Sequence, residues 1–281
     1  MTRSSKARVN ITQIREGHIK HKTKQDVVVT EEPLEIRLVA GNDTQQLAVT
    51  MRTPGADFEL ATGFLYSEGI IQSHEDITHI SYCVDHDLSE DQRYNVVNVR
   101  LRQEQLPDLE HLQRHFFTTS ACGVCGKSSI EALETRGLQP IMSNLTIPIQ
   151  TVTQLPDKLR AAQPLFENTG GLHAVGLFDR HGDLITLRED VGRHNAMDKV
   201  VGWAVQQKRL PLSDMIVLVS GRASFELVQK ALAVQIPIFC AVSAPSSLAV
   251  DLAHRFNMTL IGFLRRDNFN IYTSPYRIQT Q

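Results

Sequence analysis

The 281-residue sequence predicts an α+β unit followed by an α/β unit, and three observations carry that reading. From residue 173 to 263, short β-branched runs alternate with amphipathic stretches, as strands do when crossover helices join them. From 35 to 101 the apolar runs face each other across turns, as in hairpins. Between these regions lies a stretch dotted with Pro140, Pro148, Pro156 and Pro164. Length alone fits one core or two domains, so the partition rests on these patterns. It gives a small domain over 1–115, a mobile cysteine-bearing arm over 116–137 and a second domain over 138–281.

In chain order, the first thirty residues are polar and basic and read as a loose, flexible lead-in. Residues 35–40 predict a strand, Gly41-Asn42-Asp43 a turn, and 45–52 the returning strand. Thr53-Pro54 opens a helix with Phe58, Leu60, Ala61, Phe64 and Leu65 on its apolar side and Gly69 at its end. Residues 77–84 and 94–101 alternate around an acidic loop, 85–91, and predict a second hairpin. Cys83 on that strand reads as a structural thiol. Residues 106–115 predict a short helix. Another is signalled by Ser128 and Glu131 at capping-box spacing around Ile130, Ala132 and Leu133, with Gly137 as its stop. The proline-dotted stretch is read as a link. Beyond it, strands are predicted over 173–178, 184–188, 215–219, 237–242 and 259–263, with helices over 195–208, 225–234 and 247–256. Strands alternating with helices imply a parallel sheet with right-handed crossovers. Cys240, inside an apolar strand, reads as a core thiol.

With 29 basic and 31 acidic residues, nothing in the charge balance argues for nucleic acid or an anionic membrane as partner. No apolar run approaches the ~20 residues of a spanning helix. The N-terminus lacks the apolar segment of a secretory signal, so the expected location is the cytoplasm. Four cysteines in a chain of this length do not make a disulfide framework.

The chemistry concentrates in Thr118-Thr119-Ser120-Ala121-Cys122-Gly123-Val124-Cys125-Gly126-Lys127. Small polar residues cannot build a core there, so packing does not explain the two thiols. They precede the helix signal rather than open it, unlike a thioredoxin-type pair that uses the helix dipole. The pattern reads as a glycine-hinged arm with an exposed nucleophile, and Lys127 is the nearest cation. Three further loops follow successive strands of the second unit, where an open parallel sheet places its ligands. They are Ser220-Gly221-Arg222-Ala223-Ser224, Ala244-Pro245-Ser246-Ser247 and Phe263-Leu264-Arg265-Arg266-Asp267-Asn268. Hydroxyls and arginines suit a phosphate-bearing ligand, although such loops are more often plain helix caps. Neither a dinucleotide-binding glycine pattern nor a P-loop is present. The loop Arg188-Glu189-Asp190-Val191-Gly192-Arg193-His194-Asn195 reads either as a ligand site or as a fixed salt-bridge corner.

The CGVCG arm, TGGLH, REDVGRHNAMDK, SGRASFELVQK, AVSAPSSLAV and TLIGF…IYTSPYRI together resemble the FdhD family, sulfur carriers needed to activate formate dehydrogenase. The resemblance runs from the first predicted strand to the C-terminus. It implies a small α+β domain plus a cytidine deaminase-like three-layer α/β domain. It implies a sulfurtransferase that accepts sulfane sulfur from a cysteine desulfurase as a persulfide. The sulfur would pass to the molybdenum of bis(molybdopterin guanine dinucleotide), bound as cargo, before insertion into formate dehydrogenase. By the same resemblance Cys122 carries the persulfide, Cys125 assists, and Phe263, Leu264, Arg265, Arg266, Asp267 and Asn268 form the cofactor loop of a homodimer. Arg265 and Arg266 suit its pyrophosphates. Two rivals stand beside this reading: a zinc site made by His111, His115, Cys122 and Cys125, and a cofactor chaperone without sulfur chemistry. A deaminase is disfavoured, since the chain has no His-x-Glu and Ala121 precedes the cysteine pair.

Overall fold

The computed structural model describes residues 4–15, 18–83, 90–107, 130, 133–134 and 137–279. It is a mixed α/β fold built on several sheets. The N-terminal thirty residues are not a loose lead-in. β1 (Lys6–Arg15) and β2 (His18–Val29) pair antiparallel, with a register shift between Ile11 and Gln13. Ile14 is 65% exposed and Val9 37%, so backbone pairing between β-branched residues makes this hairpin without burying an apolar face. That missing face is why the sequence reads as coil.

β3 (Glu32–Ala40), β4 (Asp43–Arg52), β5 (Ile77–Tyr82) and β6 (Val96–Leu101) form a sheet in the order β4-β3-β6-β5. A short helix, α2 (Glu90–Arg93), lies between its last two strands. α1 (Asp57–Ser67) covers one face, packing Leu60, Ala61 and Leu65 on Leu34, Ile36, Val97 and Val99. Arg52, fully buried at the end of β4, holds Asp57 through two hydrogen bonds of 3.0 and 3.1 Å and so fixes where α1 begins.

The link expected after Gly137 is ordered structure. β7 (Ile147–Pro148) is followed by α3 (Ile149–Ala161) and α4 (Pro164–Thr169). Val152, Leu155 and Leu159 recur at helical spacing and are buried. Pro156 removes one hydrogen bond inside α3, and this apolar stripe outweighs the loss. Pro164 sits in the first turn of α4, where its missing N–H is harmless.

The large sheet comprises β8 (His173–Phe178), β9 (Leu184–Asp190), β10 (Ile216–Val219), β11 (Ile238–Ala241), β12 (Thr259–Gly262) and β13 (Asn270–Thr273). Its order is β13-β12-β11-β10-β8-β9. The sheet is mixed rather than parallel: β10, β11 and β12 run parallel, while β8, β9 and β13 pair antiparallel with their neighbours. The β8–β9 turn is too short for a crossover, and Asp179 closes it by accepting from the amides of His181 and Asp183.

Successive residues of the central strands face opposite layers. Val217, Val219, Phe239, Ala241 and Leu260 pack with α5 (Arg193–Gln206), α6 (Phe225–Ala233) and α7 (Ser247–Arg255). Ile216, Leu218, Ile238, Cys240 and Ile261 pack with α3. Cys240 is fully buried, and burial pushes its thiol pKa up; Cys83, just beyond β5, is 2% exposed. β14 (Ile278–Gln279) returns to pair with β7.

The two sheets are joined through α1 and α5. A Cβ on Gly63 would overlap the Asp198 carbonyl, and one on Gly202 would overlap that of Glu59. The helices therefore cross backbone to backbone, a separation only glycine allows. Cys122, Cys125, Lys127, His111 and His115 lie outside the described residues, as do most of the helix expected over 106–115 and residues 85–89 of the acidic loop. Of the helix expected after the arm, Ile130, Leu133 and Glu134 are described and helical, and Gly137 leaves it at φ 84°.

Candidate functional site

One edge of the large sheet collects most of the sequence motifs. β10, β11 and β12 end there, β9 ends there, and β8 begins there. Backbone hydrogen bonds stitch the loops together. Ser220 donates to the Ala174 carbonyl at 2.9 Å, Ser243 to Gly221 at 3.2 Å, Ser246 to Ala223 at 3.0 Å and Phe263 to Ser243 at 3.1 Å. These bonds make the rim a continuous ledge.

The predicted loop 263–268 forms one end of this ledge. Phe263 adopts φ 53°, a left-handed conformation unusual for a large residue. The turn buries Leu264, which is 1% exposed, and leaves Phe263 39% exposed. The Arg265 amide donates to the Asn268 carbonyl at 3.0 Å and closes the loop. The Arg266 guanidinium lies 2.8 Å from Asp157 on α3, both groups being largely exposed. Among the described residues, the side chains of Arg265 and Arg222 make no hydrogen bond or ion pair; Asp267 and Asn268 are exposed.

The loop over 188–195 resolves into a salt-bridge corner with two residues left over. Arg188 forms a forked pair with Glu59 of α1. Glu189 accepts the amides of Leu165 and Phe166 at the start of α4. Asp190, fully buried, meets Lys199 at 2.6 Å and also accepts from Asn195 and from the backbone amides of Thr53 and Gly192. Eight residues further on, Asp198 pairs with Lys230 at 2.7 Å and takes a hydrogen bond from Ser67. These groups fasten the small sheet to the large one and are satisfied.

Arg193 and His194 remain, on the first turn of α5 beside the ledge. The Arg193 Nε is buried with no hydrogen-bond partner among the described residues. His194 Nε2 lies 3.5 Å from Ser224 Oγ and 3.8 Å from Glu226. The neighbouring His194 is the main cause that holds the Glu226 carboxyl down to about 2. His173, at the start of β8, has its pKa lowered by burial and then by the Arg193 cation. Ser224 caps α6 without a side-chain hydrogen bond to its amides, and the Glu226 carboxylate is held in that first turn by its own backbone amide and by Ser224. The ledge thus offers Arg193, Arg222 and Arg265 to an anion. Sequence reasoning named the loops but did not single out Arg193 or His194, which only the β9–α5 junction brings to this edge.

Below the ledge, on the α3 side, lies a cavity of ≈ 510 Å³ reached by Ser220 and His173. Sequence reasoning placed no cavity here: Gly170 to His173 and Ser220 belong to quoted motifs, and most of the other walls come from α3 and α4, the segment read as a link.

The sequence pattern of the FdhD/NarQ family matches residues 29–279. The Sulfur carrier protein FdhD of Streptomyces coelicolor is 48% identical over 274 residues, covering 96% of this chain and 95% of that protein. The protein of the same name from Mycolicibacterium paratuberculosis is 51% identical over 257 residues, covering 91% and 93%. The crystal structure of a candidate formate dehydrogenase accessory protein from Desulfotalea psychrophila superposes with a TM-score of 0.73 at 24% identity, covering 98% of this chain and all of that one. That likeness concerns the fold. A family pattern spanning nearly the whole sequence, with relatives near half identity along it, places the chain in the FdhD/NarQ family.

Proposed function

We propose that this chain carries sulfur for the maturation of formate dehydrogenase. Cys122 receives sulfane sulfur from a cysteine desulfurase as a persulfide, with Cys125 assisting. The thiolate attacks the outer sulfur of the donor persulfide and the donor thiolate leaves, which requires accessible thiols on both partners. The sulfur then passes to molybdenum in bis(molybdopterin guanine dinucleotide), the cargo held at the ledge. The division into a small domain over 1–115, a cysteine-bearing segment over 116–137 and a deaminase-like three-layer cofactor domain over 138–281 belongs to the same reading, as do a homodimer and a cytoplasmic location. The relatives' name supports the sulfur chemistry.

The observation that carries the cargo assignment is that Arg193, Arg222 and Arg265, none with a salt-bridge partner among the described residues, all follow strands at the same end of the large sheet. Unpaired cations at a rigid, stitched edge are ready for pyrophosphate. Arginine–phosphate hydrogen bonds are each worth about 1.5–3 kcal/mol, and ~1.4 kcal/mol is one decade of affinity. Arg265→Ala should therefore weaken GDP binding by about ten-fold or more. Arg266→Ala should matter less, because that side chain already shares Asp157. Sulfur loading, read by intact-mass spectrometry after incubation with a desulfurase and cysteine, should place one sulfur on Cys122 in both variants. GDP binding by Arg265→Ala equal to the parent would move the cargo elsewhere; sulfur on Cys83 or Cys240 would end the carrier assignment.

A further inference from the structure

The β1–β2 ribbon concentrates charge that the whole-chain balance hides. Its two strands carry Lys6, Arg8, Arg15, Lys20, Lys22 and Lys24 against one acid, Asp26, which leaves 23 basic and 30 acidic residues in the rest of the chain. Arg8 and Lys24 are exposed and make no ion pair among the described residues. The register sets Arg8 across from Val27 on one face and Lys24 across from Ile11 on the other, so cations stand among aliphatic residues on both. Among the described residues neither strand pairs with a third, and both outer edges keep open N–H and C=O groups. Along the twelve residues of β2 such an edge runs for about 40 Å. A two-stranded ribbon with no buried face is marginal in water and gains stability from whatever pairs with it.

The ribbon is rooted at the rim of the cavity beneath the ledge. Residues 27–30 at its base are half-buried, and β2 packs on α4. A Cβ on Gly171, a residue lining that cavity, would lie 3.4 Å from the Val29 side chain. The Thr30 amide closes the base by donating to the Ser5 carbonyl at 3.0 Å. Lysines along an open edge repel the same edge of a second copy, so ribbon-to-ribbon pairing is disfavoured. They attract a strand rich in aspartate or glutamate. A nucleic acid would answer the cations but not the strand edges or the exposed Val9 and Ile14. A protein that takes the cargo must approach this rim, whereas a sulfur donor needs only the thiols of residues 122 and 125.

We infer that the β1–β2 ribbon is a docking arm for the protein that receives the cargo, and that an acidic extended segment of that protein adds to an open edge as a further strand. Lys6, Arg8 and Lys24 select the partner's charge, and the strand edge supplies the backbone hydrogen bonds. The choice of recipient rests on the cargo reading above; the preference for an acidic strand rests on the ribbon alone.

Fluorescence anisotropy on the full-length protein tests it, with a labelled peptide of alternating glutamate and threonine as long as β2. The parent should bind this peptide, and more weakly as salt rises. A peptide of alternating glutamate and proline has the same charge but lacks every second amide, and should bind about five-fold or more weakly. Lys6→Glu/Arg8→Glu/Lys24→Glu should lower affinity for the first peptide about ten-fold or more, since repulsion replaces three exposed attractions. Lys6→Gln/Arg8→Gln/Lys24→Gln should show a smaller loss and covers the case in which charge reversal disturbs folding. In both variants GDP binding and sulfur loading of Cys122 should be unchanged, while activation of formate dehydrogenase should fall. No binding of the first peptide, equal affinity for the two peptides, or binding that ignores all three substitutions overturns the proposal. So does unchanged activation of formate dehydrogenase. Lost sulfur loading would make the ribbon the donor's dock, and lost GDP affinity a part of the cargo site. A parent dimer that dissociates on charge reversal would make it a subunit contact, and ribbon-dependent binding of duplex DNA tighter than of the peptide would make it a nucleic-acid arm. Each of these four results also overturns it. Peptide binding involves neither sulfur nor cargo, so the acidic-strand preference and the carrier reading fail separately.

Discussion

At the scale of single residues, the buried charges at the β9–α5 junction separate architecture from chemistry. Asp190 is fully buried and Lys199 2% exposed, so either one without the other is an uncompensated charge. Asp190→Asn should lower unfolding stability by about 3–5 kcal/mol in urea titrations. His194→Ala, at a half-exposed position, should change it by less than about 1 kcal/mol. His173 gives a pH signature. Its folded pKa lies below the ordinary 6.5, so the unfolded chain takes up the proton first as pH falls. Its contribution is complete above pH 6.5 and is lost as pH drops through that value toward the folded pKa. An NMR titration of the ring protons should show a midpoint below 6.5; a midpoint above it would mean that the ring is neither buried nor crowded by Arg193. The sequence showed the cluster of charges over 188–195 without saying which were partnered. Partnership depends on Glu59, Thr53 and the start of α4, all distant in the chain.

At the scale of elements, the α1–α5 crossing is the most sensitive contact. Gly63→Ala or Gly202→Ala places a methyl group against a backbone carbonyl that cannot turn away. Each should lower stability by about 3 kcal/mol or more, above the usual range for overpacking, and thermal melts should show a large drop. Elements with a strong apolar period were legible: β4, β8, α5, β10, α6, β11, α7 and β12 lie within two residues of their expected ends, while β3 begins three residues earlier and α1 three residues later than expected. The misreadings have physical causes. The β1–β2 hairpin lacks a buried face, the prolines of α3 and α4 were weighed above the stripe of Val152, Leu155 and Leu159, and β13 is a four-residue edge strand. The mixed sheet escaped notice because alternation of strands and helices does not reveal which neighbour a strand will choose. At the candidate site the three strand-end loops were legible from their position alone. The cavity was legible only in part: Gly170 to His173 belong to the TGGLH segment, while Gln163 and Arg160 carry no motif.

At the scale of the whole molecule, devices among the described residues that hold the small sheet to the large one include the glycine crossing, the Arg188–Glu59 pair, the Asp190–Lys199 corner and the Asp198–Lys230–Ser67 cluster. Expression of residues 138–281 alone should therefore give an insoluble or molten product, because α5 would expose Gly202 and strand Lys199 without the Thr53 carbonyl it also bonds. A soluble, cooperatively melting fragment would show that the large sheet needs no partner. The crossing has a further consequence for heredity. α5 is the member clamped against α1, and its first turn carries Arg193 and His194 to the ledge. Alleles altering Gly63, Thr53 or Glu59 would thus tilt the ledge without touching any cargo, and a growth screen would score them as cofactor-handling defects although they map to the opposite half of the gene.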